Sequence, residues 1–170
     1  NKDNIYMYNI PSNIIAFFVY SYLCVTMEHF SYYVTGSTYY YRLDNPIITA
    51  FPLYGFGIYT ILFINYLLDQ LGMSNLNLIP QLLLKLLIFG FVASVIEYIT
   101  GKYFAIAGKT ANPDCIFNGW DYSHEFMNIE GIVSLEHMIL WGILGVIIIF
   151  VHPYLMKFIN CGLACYNLDG

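Results

Sequence analysis

The chain has 170 residues, of which 59% are hydrophobic, 19% are aromatic and only 10% are charged, and its mean hydropathy is +0.62. A soluble domain of this length cannot bury so much apolar surface, so the composition excludes that class and indicates an integral membrane protein. The formal net charge of -5 and the six Lys and Arg residues exclude a basic surface for nucleic acid.

Four stretches of the chain are long enough to cross a bilayer, which needs about 20 mostly apolar residues per helix. Pro11, Pro46 and Pro80 stand near the starts of the first three stretches, as is typical of helix N-termini. The pattern predicts an all-α fold with one integral membrane domain over residues 1–170. The four predicted transmembrane helices cover residues 13–34, 49–68, 81–105 and 132–158.

The basic residues do not orient this multi-pass chain. Lys and Arg in short loops favour the cytoplasmic side, but three of the six fall on each side of the predicted helices. The side that faces the cytoplasm, and the membrane in which the protein resides, therefore stay open.

Polar residues cluster at one end of the predicted bundle. In an up-down topology, the end of helix one, the start of helix two, the end of helix three and the start of helix four meet in one leaflet. The loop before helix four contains WDYS. The pattern predicts a four-helix transmembrane bundle with this polar loop capping one end. The predicted polar site consists of Glu28, Tyr54, Gly55, Glu97, Trp120, Asp121, Tyr122, Ser123 and Glu136.

Two of these acids share a helix face with small residues. Glu28 follows Ser21 by seven positions, and Glu97 follows Gly90 by seven and Ser94 by three. Small faces pack against neighbouring helices in lipid, so both carboxylates are predicted to point into the bundle.

Carboxylates at this depth need partners, because each costs about 2.5 to 3.5 kcal/mol at the centre of a membrane helix. Arg42 and Lys102 are the basic residues available near this end of the bundle. Two interpretations stay open. The acids either bind a cation or exchange protons, or they only anchor the third loop through hydrogen bonds from Trp120 and Tyr122.

Several short motifs add a family resemblance. They are SYLCVTME at 21–28, PLYGFG at 52–57, EYITG at 97–101, WDYS at 120–123, NIEG at 128–131 and LWGILG at 140–145. Together they resemble the CmpB-like ABC-transporter type IV family of small membrane proteins and its eukaryotic relatives, the transmembrane protein 229 family. The resemblance runs from about Tyr20 to Tyr154 and implies the fold and a membrane component of a transporter. The chain departs from the family at residues 39–51, where relatives are Gly-rich, and at Glu136-His137.

The chain lacks the motifs of an ATPase, a metalloenzyme or a hydrolase. Residues 101–110 read GKYFAIAGKT, in which six residues rather than four separate the two glycines of a Walker A motif. Adjacent Glu-His pairs cannot chelate as an i, i+4 pair does. Asp121, Ser123 and His124 lie too close in sequence for a catalytic triad. We predict no cofactor, metal or catalytic residue, and an ATP-driven role would need a separate ATPase subunit.

Three functions remain, in this order of preference. The first is a small membrane component of a transport or other multi-subunit assembly with an acidic intramembrane site. The second is a purely structural membrane subunit, and the third is an intramembrane enzyme. Four short helices enclose little volume, so the sequence predicts a homo-oligomer or partner membrane subunits in the lipid bilayer. No pattern indicates the substrate.

Overall fold

A computed structural model of the protein describes residues 10–35, 46–111 and 122–165. The long helices are α1 (Ile10–Thr35), α2 (Pro46–Gln70), α3 (Leu78–Ala111) and α4 (Leu135–Cys165), and a short 3-10 helix (Met73–Asn75) lies between α2 and α3. Over the described residues, extended pairing is limited to an isolated bridge between Ile129 and Val133. The prediction of an all-α fold is therefore confirmed for this part of the chain.

Three of the helices are long and apolar enough to cross a membrane. The candidate spans are Ile10–Met27 of α1, Leu78–Tyr103 of α3 and all of α4, with mean hydropathies of 1.5, 2.1 and 2.2. Many large apolar side chains on these helices are exposed, and a surface of that kind is stable against lipid rather than water. The protein is an integral membrane protein, while α2 as a fourth span and the up-down bundle stay predictions.

The fourth helix begins and ends later than the sequence pattern indicated. Its first residue is Leu135 rather than 132, because the Ser134 hydroxyl accepts the His137 backbone N–H at 3.2 Å and so caps the helix. At the other end, α4 continues through Pro153 to Cys165 instead of stopping at residue 158. The apolar residues just before Ser134 belong to the loop.

The chain forms two compact units, and α2 and α4 contribute to both. The first unit contains α1, the part of α2 up to Leu62 and the part of α4 from Ile148. The second unit contains the rest of α2, all of α3, the loop over residues 122–134 and the start of α4.

Hydrogen bonds of tyrosine side chains join the helices of the first unit. The Tyr59 hydroxyl donates to the Asn13 carbonyl at 2.7 Å and connects α2 with α1. The Tyr20 hydroxyl and His152 Nδ1 lie 3.0 Å apart and connect α1 with α4. Each bond satisfies polar groups on helices whose outer surfaces are apolar, as lipid requires.

Close packing of α3 against α4 defines the second unit. A Cβ atom at Gly90 would lie 2.2 Å from the Met138 carbonyl oxygen, and one at Gly142 would lie 2.3 Å from the Leu86 carbonyl oxygen. The two contacts run in opposite directions along the helices, so α3 and α4 are antiparallel here. Glycine at both positions allows the backbones to approach closely, and this brings Glu97 of α3 within reach of α4.

An ion pair of a buried lysine connects the end of α2 with α3. Lys85 is only 4% exposed, and its Nζ donates to Asp69 Oδ1 at 2.8 Å. The Asn65 amide donates to the other oxygen of Asp69 at 3.2 Å. This pair offsets part of the cost of placing a lysine in a predicted membrane span.

Candidate functional site

The centre of the candidate site is the carboxylate of Glu97, which is 9% exposed on α3. The Tyr122 hydroxyl donates to Oε1 at 3.0 Å, and the Trp141 indole N–H donates to Oε2 at 3.2 Å. One donor comes from the loop before α4 and the other from α4 itself. Each carboxylate oxygen therefore receives a hydrogen bond from an uncharged group.

Both the ring and the backbone of Tyr122 are held by contacts. Its ring stacks on the His137 imidazole, with centroids 3.8 Å apart and an interplanar angle of 17°. Its backbone N–H donates to the Gly131 carbonyl at 2.8 Å, which closes the loop on itself. These contacts fix the orientation in which the Tyr122 phenol donates its hydrogen bond to Glu97.

His137 is oriented in turn by Glu125 and Ser134. Glu125 Oε2 lies 2.8 Å from His137 Nδ1 and accepts a hydrogen bond from the Ser134 hydroxyl at 2.5 Å. Because an ionised carboxylate only accepts, Nδ1 must carry a proton in this arrangement. The serine hydrogen points to Glu125 and not to the imidazole, so these three residues do not form a nucleophile and base of the triad type.

Two opposing effects set the ionisation of Glu125. Burial raises its pKa, but the hydrogen bonds from Ser134 and His137 and the electrostatic attraction of His137 and His124 together hold the pKa below its ordinary value. A carboxyl whose pKa is lowered by folding contributes stability above its unfolded-state pKa of about 4.3. That contribution is lost as the pH falls through the lowered pKa of the folded protein.

Replacing Ser134 with alanine tests both roles of this serine. We expect the Ser134→Ala protein to lose about 1 kcal/mol at neutral pH, because it lacks the helix cap. We also expect it to lose less of its remaining stability than the wild type below about pH 4.3, because the pKa of Glu125 moves back toward its ordinary value. The measurement is the thermal unfolding midpoint in detergent between acidic and neutral pH. Ser74→Ala, at an exposed position, is the control, and equal shifts at all pH values would contradict the assignment.

A second acid ties the loop to the end of α3. Glu130 pairs with Lys102 and accepts a hydrogen bond from the Tyr98 hydroxyl at 3.3 Å. The hydrogen bond from Lys102 is the main cause that lowers the pKa of Glu130. Next to it, the Gly131 N–H donates to the Asn128 side chain at 3.1 Å. The loop is therefore anchored to α3 through both Glu130 and Tyr122.

The structure brings two of the predicted site residues into contact. Glu97 and Tyr122 are hydrogen-bonded. Ser123 is exposed in the loop, and Glu136 is exposed in the first turn of α4. The predicted site residues whose side chains lie outside the described part of the structure are Glu28, Trp120 and Asp121.

Tyr54 and Gly55 lie on α2 in the first unit. Gly55 is buried, and a Cβ atom there would lie 2.5 Å from both the Phe17 ring and the Ser21 hydroxyl. Tyr54 is half-buried. In the described contacts, the absence of a side chain at Gly55 therefore allows α2 to lie close to α1.

Three contributors to the site were not among the residues predicted from the sequence: Trp141, His137 and Glu125. A buried indole N–H needs an acceptor, so the tryptophan in the apolar LWGILG motif was a usable signal. In the sequence, Glu125 and His137 belong to the adjacent pairs His124-Glu125 and Glu136-His137, a spacing that does not chelate a metal. Within the described residues, no group of three or more His, Cys, Asp and Glu side chains has the arrangement to hold a metal ion.

The chain was compared with known protein families, curated proteins and solved structures. The model of the family described as Putative ABC-transporter type IV matches residues 15–164, which is most of the chain. Neither a curated protein nor a solved structure matches.

Proposed function

The chain belongs to the Putative ABC-transporter type IV family, and from this premise we propose that it is a membrane subunit of a transport assembly. The three apolar helices fit the membrane component of such an assembly. The 170 residues contain no Walker A motif, so ATP hydrolysis would reside in a separate subunit. The family match is the observation that supports this proposal.

Within that assembly, we propose that Glu97 is the group that takes up a proton or a cation. It lies in the candidate span Leu78–Tyr103 and is 9% exposed. An ionisable side chain inside a membrane span is costly and is a candidate for function by default. The hydrogen bonds from Tyr122 and Trp141 hold the carboxyl group of Glu97 in a fixed position between the loop and α4.

The observation that favours a second function is the hydrogen bond from Tyr122 to Glu97. It anchors the loop before α4 to α3. In a purely structural membrane subunit, this anchoring would be the whole role of the acid. The two functions differ in what happens when the charge is removed but the loop stays in place.

Purification of the assembly tests the transport proposal. The tagged full-length chain would be extracted from its own cells in a mild detergent, and the co-purifying subunits would be identified and assayed for ATP hydrolysis. We expect a stoichiometric subunit with a Walker A motif, together with ATPase activity that depends on this chain. A chain that purifies alone, with no ATPase activity in any fraction that contains it, would refute the proposal.

A further inference from the structure

The last turns of α4 carry two cysteines on one exposed side of the helix. Cys161 and Cys165 are both exposed and are four residues apart, so they lie on the same face. Cys24 on α1, by contrast, is buried. A thiol must be accessible to react. A reagent outside the protein can therefore reach Cys161 and Cys165, whereas Cys24 is shielded.

The two thiols lie where α4 leaves the hydrocarbon core. The helix has 31 residues and is about 46 Å long at 1.5 Å per residue, whereas the hydrocarbon core is about 30 Å thick. Tyr154 and Lys157 are exposed in the turns before Cys161, and residues of these types favour the membrane surface. Cys161 and Cys165 therefore lie about one and two helical turns beyond the interfacial residues, on the outer side of the membrane surface.

The helix face that bears the thiols leads back toward the bilayer through exposed aromatic and apolar side chains. Counting back from Cys165 by seven, eleven and fourteen residues gives Phe158, Tyr154 and Val151, which are 77%, 77% and 45% exposed. A Cβ atom at Gly162 would meet nothing within 4 Å. Among the described residues, an acyl chain attached to either sulfur would therefore meet no side chain at Gly162 and could lie along exposed aromatic and apolar side chains toward the lipid.

We infer that Cys161 and Cys165 are S-acylation sites that accept a long-chain acyl group from an acyl-CoA thioester. The cysteine sulfur attacks the thioester carbonyl carbon, and a new carbon–sulfur bond forms on the cysteine. The carbon–sulfur bond to coenzyme A breaks, and the released coenzyme A thiolate takes up the proton that the cysteine loses. This modification does not depend on the proposed transport function.

The inference also orients the helix. Acyl-CoA is a cytosolic donor, so the end of α4 that carries Cys161 and Cys165 faces the cytosol. Since α4 crosses the bilayer once, the loop that contains Glu125, before Leu135, lies on the opposite side.

An acyl-exchange assay on the full-length protein from a eukaryotic host tests the inference. Free thiols are blocked, thioesters are cleaved with hydroxylamine, and each released thiol receives a polyethylene glycol maleimide that retards the band. We expect two retarded steps for the wild type, one for Cys161→Ser and none for the Cys161→Ser/Cys165→Ser protein. Cys24→Ser, the control at the buried position, retains both steps.

A second measurement needs no acyltransferase and tests the inference if the host lacks a suitable one. Purified protein in phosphatidylcholine vesicles is incubated with palmitoyl-CoA, and we expect transfer to Cys161 and Cys165 at least several times faster than to Cys24. Absence of transfer to the pair in both experiments would overturn the inference. So would retarded bands that persist in the double variant, or bands that a reductant abolishes, because these report Cys115 or a disulfide.

Discussion

Replacing Gly90 with alanine is expected to separate α3 from α4 and to destabilise the protein strongly. The new Cβ atom would lie 2.2 Å from the Met138 carbonyl oxygen. A backbone oxygen cannot rotate away as a side chain can, so one helix must move. Overpacking typically costs about 1 to 3 kcal/mol, and we expect a loss at or above the upper end of that range. The measurement is the unfolding midpoint of purified protein in detergent.

Gly57→Ala is the matched control, because the same change is made in a helix where a Cβ atom would meet nothing within 4 Å. Alanine is the better helix former by about 0.8 to 1.0 kcal/mol, so this protein should be as stable as the wild type or slightly more so. If Gly90→Ala were no less stable than Gly57→Ala, the close approach of α3 to α4 would be wrong.

The packing at Gly90 also bears on the site. Trp141 lies three residues after Met138 on α4, and its indole N–H reaches Glu97 on α3 at 3.2 Å. A helix displaced at Gly90 would lengthen that contact. We therefore expect Gly90→Ala to weaken the hydrogen bond between Trp141 and Glu97, in addition to lowering the unfolding midpoint.

The helices could be predicted from the sequence because a bilayer requires a stretch of about 20 apolar residues, whatever tertiary contacts the helix makes. The start of α4 could not. Ile132 and Val133 are as apolar as the helix that follows, but Val133 pairs with Ile129 in a bridge and Ser134 caps the helix. Apolar content does not distinguish a loop that packs on its own protein from the first turn of a span.

Part of the site could also be predicted, because helical periodicity shows which residues share a helix face. Helical periodicity indicated that Glu97 shares a face with Gly90, and the structure packs that face against α4. The choice of hydrogen-bond partner was not predictable, because Tyr122 and Trp141 are 25 and 44 residues away from Glu97 in sequence. Lys102, considered as a partner for an intramembrane acid, instead pairs with Glu130 in the loop.

Removing the charge of Glu97 is expected to have the largest effect on function. Glu97→Gln keeps the size of the side chain and one carbonyl oxygen as an acceptor, so the folded protein should remain abundant. The ATPase rate of the purified assembly, measured against pH and monovalent cation concentration, should fall at least about tenfold and lose its dependence on both. A tenfold change corresponds to about 1.4 kcal/mol, within the range of a lost charged interaction.

Two further variants separate function from anchoring at this carboxylate. Glu136→Gln removes an acid that is exposed on α4, and it should leave the ATPase rate unchanged. Tyr122→Phe keeps the charge of Glu97 but removes the hydrogen bond that anchors the loop. If Glu97 served only as an anchor, Tyr122→Phe and Glu97→Gln would lower protein abundance alike, and the ATPase rate per folded assembly would be normal in both. If the charge itself is required, Glu97→Gln alone abolishes the pH and cation dependence while the loop stays docked.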